Sequence, residues 1–269
     1  MRRITSRQNP LVARYRDVAS GEAPDLVLLD GIHLVADALA AGLLIHSAAV
    51  AIDDAVGSPN DALRALLGRL GDANVDLVDA PASVMAAISP VQSPSAIVAI
   101  AERPSAAVED VFAGPMPLVL VAVGVQDPGN VGALIRVAEA GGATGVVTTG
   151  GSANPFGWKA LRGSMGSALR LPILTGATTG HAVALAHEHG CRVIAAAPRG
   201  GPSVFDAAAA GPLAILIGGE GQGLTSTDLD LADGRVTIPM QAPVESLNAA
   251  VAAAIIVYET RRQRAAWRT

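Results

Sequence analysis

Only one cysteine occurs in 269 residues. Cys191 can therefore form no intrachain disulfide, and no multi-cysteine zinc site can be built around it. It sits in the apolar run CRVIAAA, where a small buried thiol is expected rather than a nucleophile. Aromatic residues make up 3% of the chain, so the core has to be assembled from Ala, Val, Leu and Ile. No apolar segment runs uninterrupted for the length of a membrane span. The opening MRRITSRQNP leads into no stretch of signal-peptide type, and these two absences together point to a cytoplasmic protein. No strand runs into G-x-G-x-x-G with an acidic residue about 20 positions later, which argues against a dinucleotide-dependent oxidoreductase. No G-x-S-x-G elbow is present, which argues against a hydrolase of that type. His187, Glu188 and His189 offer no metal site, because neighbours at i and i+2 point to different sides of a helix. They are expected at a solvated helix end. Nor is there an excess of positive charge: the net charge is −5, which gives no global signal for nucleic acid.

What is present describes a globular chain, 51% hydrophobic and 16% charged. Its length favours two domains. The arginines are unevenly placed, with Arg2, Arg3, Arg7, Arg14 and Arg16 at one end and Arg261, Arg262, Arg264 and Arg268 at the other. Either cluster could track phosphates, or serve as a solvated tail or the dipole-compensating end of a helix.

Hydrophobic patterning divides the chain further. Three short apolar runs at 25–30, 44–52 and 95–102 are separated by helical patterns, such as Ile32, Leu34, Val35, Ala38 and Leu39 after Gly31. This alternation predicts a small α/β domain over 1–102. Residues 103–117 follow as a linker, with Pro104, Pro115 and Pro117 discouraging regular structure. From 118 to 269 the alternation is clearer, with strands expected at 118–125, 144–150, 192–197, 213–218 and 235–240. Helices fit at 130–141, 158–168, 180–189 and 246–264. On the last, Leu247, Val251, Ala254, Ile255 and Tyr258 share one face and Ser246 is the expected N-cap. An aliphatic chain of this order predicts a parallel sheet covered by helices on both faces.

Three loops follow strands and are rich in Gly, Pro or small polar residues: QDPGNVGALIR (126–136), IGGEGQGL (217–224) and IPMQAPVESLN (238–248). In open α/β sheets, ligands bind beyond the carboxyl ends of the strands. Asn130 stands at a helix start, where N-capping is its plainest role, and Arg136 lies about two turns on. The glycines around Glu220 let backbone amides approach a ligand closely. Ser246 and Asn248 begin the last helix, where free amides favour anionic groups.

Together the three loops resemble the motifs of the SpoU (TrmH-like) branch of the SPOUT RNA methyltransferases. DPGNVGALIRVAEAGG is similar to the first, with its Asn-x-Gly and an arginine six residues after that Asn; IGGEGQGL is similar to the second and IPMQAPVESLNAAVAAAIIVYE to the third. KALRGSMGSALRLPI (159–173) matches the family's intervening small-residue helix and strand. In the front half, ITSRQNPLVARYRDVAS followed by LVLLDGIHLVADALAAG is similar to the substrate-binding domain of many members, which itself resembles ribosomal proteins that bind kinked RNA.

The resemblance implies a trefoil-knotted α/β domain, a homodimer through that domain with its site near the interface, and S-adenosylmethionine-dependent 2′-O-ribose methylation of RNA. Large-subunit (23S) ribosomal RNA is favoured over tRNA as substrate, with a non-catalytic RNA-binding assembly factor as the alternative. Carried over by position, Gly218, Gly219, Gly221, Ile238, Met240 and Leu247 would contact the cofactor, with Thr148, Thr149 and Gly150 nearby. Asn130, Arg136, Glu220, Ser246 and Asn248 would line the reacting centre, and no metal is implied. Arg2, Arg3, Arg7, Arg14 and Arg162 would meet RNA. The family assigns Arg136's counterpart the activation of the ribose hydroxyl, yet a guanidinium stays protonated in proteins. Binding of the adjacent phosphate and stabilisation of alkoxide charge suit it better. Two departures stand out: Asn248-Ala249-Ala250 replaces Asn-Val-Ser, removing a hydroxyl at 250, and Gly219 stands where Ser or Ala is common, a change expected to matter less.

Overall fold

The computed structural model describes residues 1–51 and 61–267, in two compact units. The first comprises Met1–Pro104 and Phe156–Arg170. Its elements begin with β1 (Arg2–Arg3), α1 (Pro10–Ser20), β2 (Leu26–Asp30), α2 (Ile32–Ala40) and β3 (Ile45–Ala51). They continue with α3 (Asp61–Asp72), β4 (Asp76–Ala80), α4 (Ala82–Ile88) and β5 (Ile97–Glu102). The sheet order is β1-β4-β3-β5-β2, with β5 antiparallel to both neighbours and the other pairs parallel. Asn9 caps α1 by accepting from the Leu11 amide, Pro10 pre-sets its first turn, and Gly21 closes it at φ 86°. The helix buries Val12, Tyr15 and Val18. Tyr15 Oη lies 3.1 Å from Ser47 Oγ and donates to the Val98 carbonyl at 3.3 Å, and burial pushes its pKa up to about 12.

Residues of the expected linker are folded into the second unit, which comprises Ser105–Pro155 and Leu171–Thr269, the last two residues lying outside the described part. Helix α5 (Val108–Val111) forms there, with Asp110 accepting from the Ala107 amide at 2.8 Å, and Val111 and Phe112 are buried in the core. The prolines shorten regular structure without excluding it. Next come β6 (Leu118–Val123), α6 (Pro128–Gly141) and β7 (Gly145–Thr149). Helix α7 (Trp158–Ser164) belongs by its contacts to the first unit, where it packs near β2. The helix expected to run to 168 breaks at Met165 (φ 49°) and Gly166 (φ 81°) before a 3-10 turn at Ser167–Leu169. Position 166 has no room for a Cβ, which would collide with the Asp37 carboxylate.

The remaining elements are β8 (Ile173–Ala177), α8 (Thr179–Glu188), β9 (Arg192–Ala196), β10 (Leu213–Gly218), α9 (Ser226–Leu231), β11 (Gly234–Val236) and α10 (Ala249–Trp267). The second sheet is wholly parallel in the order β11-β9-β10-β6-β7-β8. All six residues of β6 are buried, as a central strand covered on both faces requires. Strand order reverses between β6 and its two neighbours, so the carboxyl ends of β6 and β10 open a crevice of the kind that receives ligands.

Helix α10 inverts the expected face. Ala249, Ala250, Ala253, Ile256, Val257 and Thr260 are buried, whereas Val251 and Tyr258 are 48% and 51% exposed. Gly141 on α6 lies against Val257, and a Cβ there would overlap the valine. The C-terminal arginines are engaged within the unit: Arg264 donates to the carbonyls of Met116, Pro117 and Gly211, Arg261 to that of Ala140, and Arg262 pairs with Glu259 at 2.7 Å. Arg268 lies outside the described residues. Among the described residues, no helix is long and apolar enough to cross a membrane.

Candidate active site

A cavity of about 590 Å³ opens in the second unit beyond the carboxyl ends of β9, β10 and β11. Its walls are 196–199 after β9, 217–224 at and after β10, Val236, Ile238 and Met240 at and beyond β11, and 246–249 leading into α10. Of the residues expected to meet the cofactor, Gly218, Gly219, Gly221, Ile238, Met240 and Leu247 line it; so do Glu220, Ser246 and Asn248. The expected strand at 235–240 stops at Val236, which leaves 238–240 free to bend into this wall.

The glycines are needed by the loop itself. A Cβ at Gly218 would stand 2.5 Å from the Gly223–Leu224 backbone, and one at Gly219 would run into the Gly124 carbonyl after β6. Gly221 and Gly223 hold φ at 88° and 64°, a region that favours glycine. At Gly219 the obstruction is backbone on a neighbouring strand end, not a movable side chain.

Asn130 does not cap α6. The cap is Asp127, whose Oδ1 accepts from the Asn130 amide at 2.8 Å. An aspartate before Pro128 competes well for that place, and the Asn130 side chain is released to act elsewhere. Likewise Ser246 is not the cap of α10; Asn248 Oδ1 accepts from the amides of Ala250 and Val251 at 2.9 and 3.3 Å. With its oxygen so committed, Asn248 must donate through Nδ2, and it does so to Asn130 Oδ1 at 2.9 Å. Asn130 Nδ2 in turn donates to Glu220 Oε1. A one-directional chain Asn248→Asn130→Glu220 results, polarised at one end by a helix N-terminus and at the other by an acceptor-only carboxylate. It ties together one residue from each of the three loops.

Other expected residues lie apart. Arg136 is exposed, makes no hydrogen bond or ion pair to any described residue, and does not line the cavity. Six residues beyond Asn130, it projects about 120° round α6 from it. Thr148 and Thr149 are 2% and 5% exposed within β7, and neither they nor Gly150 lines the cavity. Thr149 Oγ1 instead accepts from the Gly124 amide at 3.2 Å, holding the loop against which Gly219 packs. β7 flanks β6 on the side away from β10, which is why its end misses the cavity.

In the first unit, Arg2 pairs with Asp76 at 2.8 Å and Arg3 with Asp79 at 3.4 Å, which occupies both as neighbours in the sheet rather than leaving them as unpaired cations. Arg7 donates to the Ser83 carbonyl, while Arg14 and Arg162 are exposed. His187 contacts Asp233 at 3.1 Å, and His189 stacks on Phe112 with centroids 4.6 Å apart, so this helix end is packed rather than simply solvated. The Val193 amide, and then His187, hold the Asp233 carboxyl below its ordinary range. Burial pushes the Cys191 thiol up, as suits an inert core residue. No cluster of three metal-ligating side chains occurs among the described residues.

Sequence reasoning missed the wall at 196–199, although Pro198-Arg199-Gly200-Gly201 follows β9 as the other loops follow their strands. The same strand-end rule would have found it.

Comparison with known proteins agrees with this architecture. Residues 117–258 match the model of the SpoU rRNA Methylase family. The chain is 32% identical over 267 residues to an uncharacterized tRNA/rRNA methyltransferase of Synechocystis, covering 97% of this chain and 94% of that one. It is 28% identical to the 23S rRNA (guanosine(2553)-2′-O)-methyltransferase of Bacillus subtilis, covering 97% and 100%. Among solved structures, the AdoMet-bound rRNA methyltransferase from Sinorhizobium meliloti superposes with a TM-score of 0.84 at 25% identity, covering 97% of each chain. The chain belongs to the SpoU rRNA Methylase family.

Proposed function

We propose that this protein transfers a methyl group from S-adenosylmethionine to a ribose 2′-hydroxyl of RNA, in the cytoplasm, with large-subunit ribosomal RNA as substrate. The observation that carries this reading is the Asn248→Asn130→Glu220 chain at a cavity of about 590 Å³, within the 300–1,000 Å³ usual for small-ligand sites. The fit to the cofactor is good. Ile238, Met240 and Leu247 offer apolar walls, the glycine loop offers backbone groups, and Glu220 offers a negative charge to a cationic ligand.

When bound, the cofactor supplies an activated methyl on a sulfonium. The protein's task is to place the sugar oxygen in line with it, and such alignment contributes on the order of 7 kcal/mol or more. In this reading Asn130, Glu220, Ser246 and Asn248 set the geometry of the reacting centre. Arg136 holds the neighbouring phosphate and stabilises developing charge on the ribose oxygen as a permanent cation. Its position outside the cavity suits a group that meets RNA rather than cofactor. Thr149 supports the site through the Gly124 loop rather than by contact.

The protein works as a homodimer through its second unit, for which the exposed Val251 and Tyr258 on α10 offer apolar surface. A trefoil-knotted path through 217–224 and 238–248 belongs to the same proposal. Arg7, Arg14 and Arg162 give the first unit its cations for RNA. The ribosomal substrate is supported by the Bacillus subtilis relative, and a transfer RNA target by the broader description of the Synechocystis one. The test is incubation with labelled cofactor and, separately, unmodified ribosomal and transfer RNA, followed by nucleoside analysis. Label in 2′-O-methylnucleosides of ribosomal RNA is expected. No label in either RNA, with no cofactor binding by calorimetry, would leave the reading without support.

A further inference from the structure

Among the residues lining the cavity, Arg199 is the one cation and Glu220 the one anion. Arg199 is carried on a loop that has little freedom. The Ala197 amide donates to the Val236 carbonyl at 2.9 Å, and the Thr237 amide to the Pro202 carbonyl at 2.9 Å. Thr237 Oγ1 accepts from the Gly201 amide at 3.2 Å, and the Val204 amide donates to the Thr237 carbonyl at 2.8 Å. Gly200 turns the chain at φ 86°, and a Cβ at Gly201 would stand 2.7 Å from the Arg235 carbonyl carbon. The guanidinium is thus presented from a clamped loop on one wall. Glu245 immediately precedes the lining residue Ser246, and Arg199 Nη2 pairs with Glu245 Oε1 at 3.3 Å. Both side chains are 81% exposed.

Resting on the cofactor reading above, we propose that Arg199 is the receptor for the carboxylate of the cofactor's amino-acid end, with Glu245 occupying its place until the ligand arrives. S-adenosylmethionine carries two positive centres, the sulfonium and the ammonium, and one negative, the carboxylate. The cavity offers charges of matching sign at separate walls: Glu220 at the Asn130 junction for the positive part, Arg199 for the negative. The exchange of partners is inexpensive. An exposed ion pair with a single contact contributes little, and a carboxylate held by the rest of the ligand replaces it without further ordering. The planar guanidinium fork also suits a two-oxygen acceptor better than the single contact it makes with Glu245.

Calorimetric titration of the full chain with S-adenosylmethionine and with its decarboxylated analogue separates this role from a structural one. Arg199→Gln is expected to weaken binding of S-adenosylmethionine about ten-fold or more and to leave the decarboxylated analogue within about two-fold of wild type. Arg199→Lys should recover part of the loss, and Glu245→Gln, which removes the competing carboxylate, should tighten S-adenosylmethionine by up to about three-fold. Thermal melting confirms that the variants are folded. Equal weakening of both ligands by Arg199→Gln, or no weakening of either, overturns the assignment of Arg199 and leaves the cofactor reading intact. A wild-type protein that binds neither ligand overturns both.

Discussion

Asn248 holds two posts, and two substitutions separate them. Its Oδ1 caps α10 through the Ala250 and Val251 amides, while its Nδ2 donates to Asn130 and thereby aims Asn130 Nδ2 at Glu220. Asn248→Ala removes both functions. Loss of the cap costs about 1 kcal/mol, or about 2–4 °C in melting temperature for a domain of this size. Asn248→Asp keeps the acceptor and adds a negative charge at a helix N-terminus, worth roughly 0.3–1 kcal/mol, so the cap of α10 is retained. The aspartate cannot donate. Asn130 must then turn its amide towards position 248 and present oxygen to Glu220, which reverses the chain and sets two acceptors against each other. A hydrogen bond to a charged partner contributes about 1.5–3 kcal/mol, equivalent to roughly a 10- to 150-fold fall in kcat/KM for methyl transfer. The assays are a melting curve and single-turnover transfer to RNA. An Asn248→Asp protein that is stable and within two-fold of wild-type rate refutes the polarity argument.

Three further outcomes are expected. Arg136→Ala should lower single-turnover methyl transfer by at least about 100-fold while leaving the cofactor Kd within about two-fold, because Arg136 lies outside the cavity; weakened cofactor binding would show that placement to be wrong. Gly219→Ala should lose measurable cofactor affinity by calorimetry, since its methyl meets the Gly124 carbonyl rather than a movable side chain, and unchanged affinity would contradict the close approach. Asp233 has its carboxyl pKa lowered in the fold, chiefly by the Val193 amide, so its stabilisation is present above the ordinary carboxylate value of about 3.9 and is lost as pH falls through the lower folded value. Asp233→Asn should therefore destabilise at pH 7 by on the order of 0.5–1 kcal/mol, discounted for its 42% exposure, with the gap to wild type closing below about pH 4; a gap independent of pH would show that charge is not the cause.

Much of the second unit was legible in the sequence because buried parallel strands are written as continuous Val, Leu and Ile runs, as in LVLVAV and LAILIG. The three loops were visible as glycine- and proline-rich interruptions after those runs. What escaped had weak contrast or a competing neighbour. The two-residue β1 consists of exposed arginines, and β4 of a run broken by aspartates, so neither shows an apolar signature. The first half of α10 is Ala, Val and Ile on every side, and a pattern so uniform cannot tell which face turns inward. Asn130 and Ser246 were reasonable caps by type, but Asp127 and Asn248 were equally good and better placed. The separation of Arg136 from the cavity depends on helix phase, which a motif spacing alone does not convey.

The central claim is that the walls at 196–199, 217–224 and 238–249 together hold the methyl donor with its sulfur facing the Asn248→Asn130→Glu220 junction. Co-crystallisation with S-adenosylhomocysteine tests it most directly. The account predicts density for the ligand in this cavity, with the sulfur nearer to Asn130 and Asn248 than to any residue of β7. Ligand bound elsewhere on the chain, or seated in the cavity with its sulfur turned away from that junction, contradicts it.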